Sequence, residues 1–439
     1  MRALSAQTTA LLLEPFLSCR RWVIAFSGGL DSHVLLHTVA QLNDAPPLLA
    51  LHINHGLHQH ANDWQTQCAQ VCKELDISFH ACVVDIEAIS GGGPEDAARR
   101  VRYIAFEAEL QQDDLLLMAH HADDQAETIL LRLLRGAGTR GLTGMPVSRP
   151  LGKGRLFRPL LGFGKEALRL YAEQHSLKYV DDTSNFDTAL DRNYLRQKIL
   201  PAIQQRWPNY RESWLQSAAW LQESAEIDAL LADQDLTNLN WREESLGGSL
   251  SIAALRKLSS PRAKNALRHA CSVLSLQPPP QQQLGKLLTE LATAKADAQP
   301  QVIWAQSEAR RFAGRLFLLP RLPTVDNAVE YQWSGEPLRL EGVGVLHAVQ
   351  SNESGLARDE QYCVRLRRGG ETFKLRPDGH SKSLKKWLQE ASVPPWLRDR
   401  TPLVYKGEEL VAIGDLWVAE AHCTTDHTML IRFEPITSL

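Results

Sequence analysis

Short apolar runs alternate with longer amphipathic segments over the first 135 residues of the chain. The runs cover residues 22–26, 48–54, 78–84 and 115–119, and they are rich in leucine, β-branched and aromatic side chains. Between them, apolar residues recur every three or four positions, which is the helical period. Strands that alternate with helices in this way predict an α/β fold whose N-terminal domain is a doubly wound parallel sheet.

The pattern changes beyond about residue 215. Residues 213–231, 252–258, 262–274 and 281–294 have helical periodicity, and the last strand-like runs lie in the basic C-terminal part of the chain. The sequence therefore predicts an N-terminal domain (1–215), a small helical domain (216–325), a connecting segment (326–355) and a C-terminal mixed α/β domain (356–439).

Composition narrows the class of protein. At 439 residues, with 44% hydrophobic and 23% charged residues and a net charge of −3, the chain has the values of an ordinary multidomain globular protein. Its seven cysteines are scattered and form no CxxC pair, which indicates a reduced, cytoplasmic protein without a zinc or iron–sulfur framework. No signal-peptide pattern and no apolar segment of membrane-spanning length is present, so no membrane association is predicted.

A glycine-rich turn, Ser27-Gly28-Gly29-Leu30-Asp31-Ser32, joins the first predicted strand to the first long helix. Glycines let the backbone approach an anion, and a helix N-terminus presents free N–H groups to it, so this turn is suited to phosphate binding. Asp31 would repel phosphate unless it held a Mg²⁺ ion that bridges to it. The alternative is a ligand-free turn in which the serines or Asp31 cap the helix.

A second polar cluster follows the fourth predicted strand. Residues 120–128 read His-His-Ala-Asp-Asp-Gln-Ala-Glu-Thr, and in a helix Asp123 and Asp124 would share a face with Glu127. The carboxyl ends of parallel strands are where open α/β sheets bind ligands. Acidic residues also stabilise the first turn of any helix, but three of them behind paired histidines suit Mg²⁺, a cationic substrate, or both.

Basic residues concentrate in two places. The helix predicted at 95–111 carries Arg99 and Arg102, which would contact a phosphate or lie on a solvated face. Residues 365–400 contain ten Lys or Arg against four acids, with aromatic residues interleaved and Lys385-Lys386 at the centre. That composition favours binding to a nucleic-acid backbone over the alternative of a solvated surface.

The motifs resemble those of a known family. The loop at residues 27–32 matches SGGxDS, the pyrophosphate loop of the N-type ATP pyrophosphatases, or PP-loop superfamily. The cluster at 120–128 resembles the HHxxDxxET signature of the tRNA(Ile)-lysidine synthetases, and residues 95–103 resemble their ExxxRxxRY stretch. By these motifs the resemblance covers roughly the first 200 residues and implies the Rossmann-like PP-loop ATPase fold.

The resemblance also implies an activity. Such an enzyme uses ATP to adenylate C2 of the wobble cytidine in an isoleucine tRNA with a CAU anticodon, and it then ligates free L-lysine there to give lysidine, AMP and pyrophosphate. ATP and Mg²⁺ are the implied cofactors. The resemblance implies that ATP is bound by the loop residues Ser27, Gly28, Gly29, Leu30, Asp31 and Ser32. It implies catalysis or metal binding by Asp31 and Asp123, and lysine binding by Asp124 and Glu127. Arg99, Arg102 and His121 are expected to contact phosphate or substrate, and Lys385 and Lys386 are expected to bind tRNA.

Two other functions remain open from the sequence. A PP-loop tRNA thiolase would also adenylate a pyrimidine carbonyl, but it commonly needs CxxC cysteines, which this chain lacks. A non-catalytic nucleotide- and RNA-binding module would bind ATP without forming AMP. The acidic cluster argues against such a module, because ATP binding alone gains little from three further carboxylates.

Overall fold

The computed structural model of the chain describes residues 3–56, 60–84, 94–180, 187–291, 300–351, 354–425 and 427–436. Its contacts divide the chain into two compact units, Met1–Glu226 and Ile227–Leu439. Among the described residues, no helix is long and apolar enough to cross a membrane.

A six-stranded sheet forms the centre of the first unit, with the strand order β3-β2-β1-β4-β6-β5. All neighbouring strands run parallel except β5 and β6, which form a hairpin that the sequence pattern did not predict. The predicted doubly wound parallel sheet is thereby confirmed. The strands are β1 (Arg21–Ala25), β2 (Leu48–Asn54), β3 (Ser78–Val83), β4 (Asp114–Leu117), β5 (Ser148–Leu151) and β6 (Gly154–Phe157).

Both faces of this sheet are covered, because side chains alternate along each strand. Trp22 and Ile24 point into one core and Val23 into the other, and all three are fully buried. The helices of the unit are α1 (Ala6–Leu13), α2 (Leu30–Ala40), α3 (Ala61–Glu74), α4 (Pro94–Glu109), α5 (Ala122–Leu134), α6 (Thr139–Leu142), α7 (Lys165–Gln174), α8 (Asp191–Tyr194), a π-helical turn (Leu195–Ile199), α9 (Leu200–Arg206) and α10 (Tyr210–Asn238), which continues into the second unit.

The second unit begins with the helices that the sequence predicts at 252–294, although the last residues of that range lie outside the described residues. These helices pack on a five-stranded antiparallel sheet of order β7-β8-β11-β10-β9, so this region is mixed α/β rather than helical. Its elements are β7 (Arg242–Glu243), β8 (Gly248–Ser251), α11 (Ile252–Leu255), α12 (Ser260–Val273), α13 (Gln281–Lys286), a π-helical turn (Leu287–Leu291), β9 (Gln301–Trp304), β10 (Ser307–Phe312) and β11 (Arg315–Pro320).

The rest of the second unit is built from antiparallel sheets with two short helices, as the sequence predicts for a C-terminal mixed α/β region. The elements are β12 (Glu330–Trp333), β13 (Leu338–Leu340), β14 (Gly344–Ser351), β15 (Leu356–Ala357), β16 (Tyr362–Arg365), β17 (Thr372–Phe373), β18 (Lys382–Ser383), α14 (Leu384–Glu390), α15 (Pro395–Arg398), β19 (Leu403–Lys406), β20 (Glu409–Ile413), β21 (Trp417–Val418) and β22 (Thr428–Pro435).

Candidate active site

The two polar motifs meet where the strand order of the first sheet reverses. From β1 the chain passes to β2 on one side, whereas β4 lies on the other, with Ile24 opposite Leu117. The glycine-rich loop leaves the end of β1, and the acidic cluster leaves the end of β4. A topological switch point of this kind opens a crevice between neighbouring loops, which is the usual ligand site of an open α/β sheet.

The glycine-rich loop is tightly constrained. Gly28 has φ +83°, which favours glycine, and a Cβ built there would lie 2.8 Å from Cys68 Sγ. The Gly28 carbonyl also accepts a hydrogen bond from Val180 N at 3.0 Å. Ser32 is buried, and its hydroxyl donates to Gly29 O and contacts Ser27 Oγ at 3.1 Å. The Ser32 hydroxyl thus shapes the loop from within, while Ser27 remains exposed.

Leu30 and Asp31 start α2, so the first N–H groups of this helix face the crevice without partners inside the helix. Asp31 Oδ2 lies 3.5 Å from His121 Nε2. Its other oxygen, Oδ1, is enclosed and receives no hydrogen bond from any residue that the structure describes. A buried carboxylate oxygen without a donor is a suitable ligand for a hard cation such as Mg²⁺.

Asp123 has more partners than Asp31. Its Oδ2 accepts a hydrogen bond from Lys165 N at 2.8 Å, and its Oδ1 lies 3.0 Å from Arg211 Nε in an ion pair. It also lies 3.7 Å from His121 Nδ1. Asp31 and Asp123 therefore contact different nitrogens of one buried imidazole, and of the two carboxylates only Asp31 offers an unpaired oxygen.

The remaining acids of the cluster lie in the first two turns of α5. Asp124 and Glu127 are buried, and Asp124 Oδ2 accepts a hydrogen bond from His121 N at 3.0 Å. Asp124 therefore does cap the helix, as acidic residues at helix N-termini do. This capping uses one oxygen of Asp124 and none of Glu127, whose carboxylate is 1% exposed.

Two arginines that the sequence did not single out pair with these acids. Arg192 Nε lies 2.8 Å from one Glu127 oxygen, and Arg196 Nε lies 2.6 Å from the other. Both guanidinium groups also reach Asp124 Oδ1, at 3.2 and 3.3 Å. From spacing alone, residues 191–193 look like turn and cap residues. The signal that could have identified the pairing is physical, because two buried carboxylates require cationic partners.

These contacts set the protonation states of the site. Burial alone would raise the pKa of Asp124, but His121 and Arg192 outweigh it and lower that pKa to about 2. Burial would likewise lower the pKa of His121, yet the carboxylates of Asp124, Asp31 and Asp123 raise it above its usual value. Asp124 is consequently ionised and is held by cationic side chains.

The arginines of α4 lie outside this cluster. Arg99 is exposed and stacks over the Tyr103 ring at 5.3 Å, and the exposed Arg102 has its Nη2 3.5 Å from His55 Nε2. Arg158, which follows β6, is buried instead and donates to His120 Nδ1 at 3.1 Å. The structure thus brings His121 into the acidic cluster and leaves Arg99 and Arg102 at a surface that a substrate can reach.

Most of the basic C-terminal stretch is already paired within the chain. Trp396 packs on Phe317 with ring centroids 5.2 Å apart, so it belongs to a packed aromatic group. Of the ten basic side chains, five form ion pairs with acids and two donate to backbone carbonyls. Within the described part of the chain, the three with neither an ion pair nor such a hydrogen bond are Lys374, Lys385 and Lys386, all exposed, the last two on α14.

Comparison with known families agrees with this geometry. The strand, the SGGxDS loop and the helix that follows it are the features that the resemblance assigns to the PP-loop class of ATP-using proteins, and the PP-loop domain model matches residues 2–203. Two further models match the second unit, the TilS substrate binding domain at 250–317 and the TilS substrate C-terminal domain at 363–434.

Curated relatives resemble the chain over almost its full length. The tRNA(Ile)-lysidine synthase of Alkalilimnicola ehrlichii is 42% identical over 95% of this chain and 94% of its own. Those of Pseudomonas fluorescens, 42% identical over 92% and 91%, and Serratia proteamaculans, 37% identical over 96% of both chains, are similar in the same way. The chain belongs to the tRNA(Ile)-lysidine synthase family.

Proposed function

We propose that this protein joins free L-lysine to C2 of the wobble cytidine of an isoleucine tRNA with a CAU anticodon, at the expense of ATP. As a member of its family it is a ligase that forms a carbon–nitrogen bond and modifies tRNA. The observation that carries the finer proposal is that the glycine-rich loop at residues 27–32 and the buried carboxylates of Asp124 and Glu127 follow neighbouring strands at one switch point. A tRNA substrate also makes the cytoplasm the expected location.

The loop at residues 27–32 is proposed to assist activation of the cytosine C2 carbonyl. The C2 oxygen is a poor leaving group, and transfer of AMP to it creates a good one. The N–H groups at the start of α2 and the exposed Ser27 hydroxyl would stabilise the charge that develops on departing pyrophosphate. Asp31, with its unpaired oxygen, would hold Mg²⁺ together with Asp123; the ion supplies charge neutralisation at the phosphates when it is bound.

Lysine binding is assigned to Asp124 and Glu127. Both carboxylates are buried on one face of α5, and the lowered pKa of Asp124 keeps that group ionised, which suits the ammonium group of a free amino acid. In the ligand-free protein Arg192 and Arg196 neutralise them. Lysine binding would therefore exchange one cation for another, and the displaced guanidinium groups would become available to the α-carboxylate of the same lysine.

The second unit is proposed to bind the tRNA substrate. Its two family models are described as substrate domains, and Lys385 and Lys386 present unpaired charge on α14. A wobble base is unpaired in the anticodon loop, so its entry into the crevice costs little unstacking energy. Arg99 and Arg102, exposed on α4, are proposed to contact substrate phosphate. We propose that residues 216–325 and 356–439 form two separate tRNA-binding domains and that residues 326–355 connect them.

The thiolase alternative finds little support in the thiols near the loop. Cys68 and Cys72 are buried, and burial raises the pKa of each to about 12, so neither is a thiolate at neutral pH. Buried, protonated thiols are poor carriers of sulfur.

One incubation tests the proposal. The protein is mixed with radiolabelled lysine, ATP, Mg²⁺ and bulk bacterial tRNA, and acid-insoluble label that survives mild alkaline deacylation is counted against released AMP. Stable label with matching AMP is expected. AMP formed only with a sulfur donor would indicate a thiolase, and ATP binding without AMP would indicate a binding module.

A further inference from the structure

A cluster of three metal-binding side chains lies outside the candidate active site, on the edge strand of the first sheet. His80 and Cys82 are two residues apart on β3, so they share a face of the strand. Glu109, the last residue of α4, packs against that face. Within the described residues this is the only group of three or more His, Cys, Asp or Glu side chains whose ligand atoms all lie within 4.8 Å of one another.

Two of the three donor spacings match tetrahedral coordination, and the third lies within 4.8 Å. Glu109 Oε1 lies 3.5 Å from both Cys82 Sγ and His80 Nε2. Zinc–ligand bonds of about 2.0–2.3 Å arranged tetrahedrally place neighbouring donors roughly 3.3–3.6 Å apart. The carboxylate is therefore already at ligand spacing from the thiol and the imidazole.

Packing and a backbone hydrogen bond hold Cys82 and Glu109 in place, while the cluster is open to solvent on one side. Cys82 packs with the core that contains Phe106 of α4, and the Glu109 carbonyl accepts a hydrogen bond from Arg21 Nη2 at 3.0 Å. The side chains of His80 and Glu109 are 49% and 35% exposed, so a fourth position faces solvent. Three protein ligands with an open fourth position are a common zinc arrangement.

We propose that His80, Cys82 and Glu109 form a binding site for a borderline-soft divalent cation, of which Zn²⁺ is the probe of choice. A thiol and an imidazole select zinc over Mg²⁺, which prefers oxygen ligands and near-octahedral geometry. This site is therefore chemically separate from the Mg²⁺ proposed at Asp31. Bound metal would join the end of α4 to the outermost strand and so protect an exposed sheet edge.

Binding exchanges a proton for the metal. Burial and the neighbouring Glu109 raise the pKa of Cys82 to about 11, so at neutral pH the thiol is protonated and donates to that carboxylate. Zn²⁺ binds the thiolate, and the Cys82 proton passes to the buffer; no electron is transferred. His80 and Glu109 are the other ionisable groups that face the thiol, and both become ligands.

Equilibrium dialysis of the full-length protein against Zn²⁺, with Mg²⁺ in excess, tests the site. One Zn²⁺ per chain is expected, and Cys82→Ser and His80→Ala should each weaken binding at least about tenfold. Cys363→Ser is the matched control, because Cys363 Sγ lies 3.8 Å from Glu330 Oε2 in a thiol–carboxylate pair without a histidine. This control should bind Zn²⁺ like the unmodified protein.

Two further readouts separate the site from adventitious binding. Co²⁺ in place of Zn²⁺ should give a thiolate-to-metal absorption band in the near ultraviolet that Cys82→Ser abolishes. Thermal unfolding should shift upward with Zn²⁺ in the unmodified protein and in Cys363→Ser, but not in His80→Ala, whose exposed position makes misfolding a small concern. No binding in the presence of Mg²⁺, or equal binding by Cys82→Ser, would overturn the proposal.

Discussion

Replacement of Glu127 by glutamine tests the lysine site most directly. The Glu127 carboxylate is 1% exposed and accepts three hydrogen bonds, one from Arg192 and two from Arg196. Glu127→Gln preserves the shape of the side chain and removes its charge. Asp124 remains beside it, with Oδ1 shared by both arginines. The change therefore removes one of the two negative charges of Asp124 and Glu127 without opening a cavity.

The expected loss follows from the strength of charged hydrogen bonds. A hydrogen bond between an ammonium group and a buried carboxylate contributes about 1.5–3 kcal/mol, and about 1.4 kcal/mol corresponds to a factor of ten. The KM for lysine should therefore rise roughly 10- to 100-fold. The KM for ATP should change little, because Glu127 forms no contact with residues 27–32 in the described part of the chain.

The assay measures stable incorporation of labelled lysine into tRNA over a range of lysine and ATP concentrations. Glu166→Gln is the control, since Glu166 is an exposed acid on α7 that forms an ion pair with Arg169 at 3.5 Å. Thermal unfolding must accompany the kinetics, because loss of one buried partner of two arginines also costs about 1–3 kcal/mol of stability. A correctly folded Glu127→Gln protein with an unchanged KM for lysine would refute the assignment.

Three further changes address the rest of the proposal. Asp31→Asn should lower AMP formation about 100-fold or more with the fold intact, measured as AMP release over a Mg²⁺ titration; normal turnover would remove Asp31 from metal binding. Gly28→Ala should destabilise the first unit by about 1–2 kcal/mol or more and weaken ATP binding, measured by thermal unfolding with and without ATP, since φ is +83° and Cys68 obstructs the Cβ. Charge reversal at Lys385 and Lys386 should weaken tRNA binding and reduce its salt slope by about 1–2, while reversal of Lys153, at the opposite end of β6 from the crevice, should leave both unchanged.

The features that the sequence predicted correctly are those with a local cause. Apolar periodicity placed β1 to β4 within a residue or two of their observed bounds, because burial on both faces of a parallel sheet leaves a continuous apolar run. The crevice followed from the same pattern, since parallel strands bring the loop after β1 and the cluster after β4 to one edge. Neither inference required knowledge of any distant contact.

The features that the sequence did not predict depend on contacts between residues that are far apart along the chain. Arg192 and Arg196 lie more than sixty positions from the acids that they contact, and nothing in their local pattern marks them as site residues. The sheet formed by β7 to β11 was also missed, because β7 and β8 are short and are separated by helices from the other three strands. For residues 365–400, composition overestimated the positive charge that is free to bind a nucleic acid. Acidic residues on neighbouring strands and turns pair with many of these basic side chains.

Charge balance explains how the side chains of the candidate site are arranged. Four carboxylates converge at this edge of the sheet, and buried carboxylates without cations would be costly. Arg192, Arg196 and Arg211 neutralise three of them, with His121 between Asp31 and the others. Among the residues that the structure describes, the carboxylate oxygen of this cluster without a partner is Asp31 Oδ1, which belongs to the loop at residues 27–32 rather than to the proposed lysine site. On the proposed function, a metal-bound nucleotide would therefore meet an oxygen without a partner, whereas the ammonium group of lysine would compete with Arg192 and Arg196 for the carboxylates of Asp124 and Glu127.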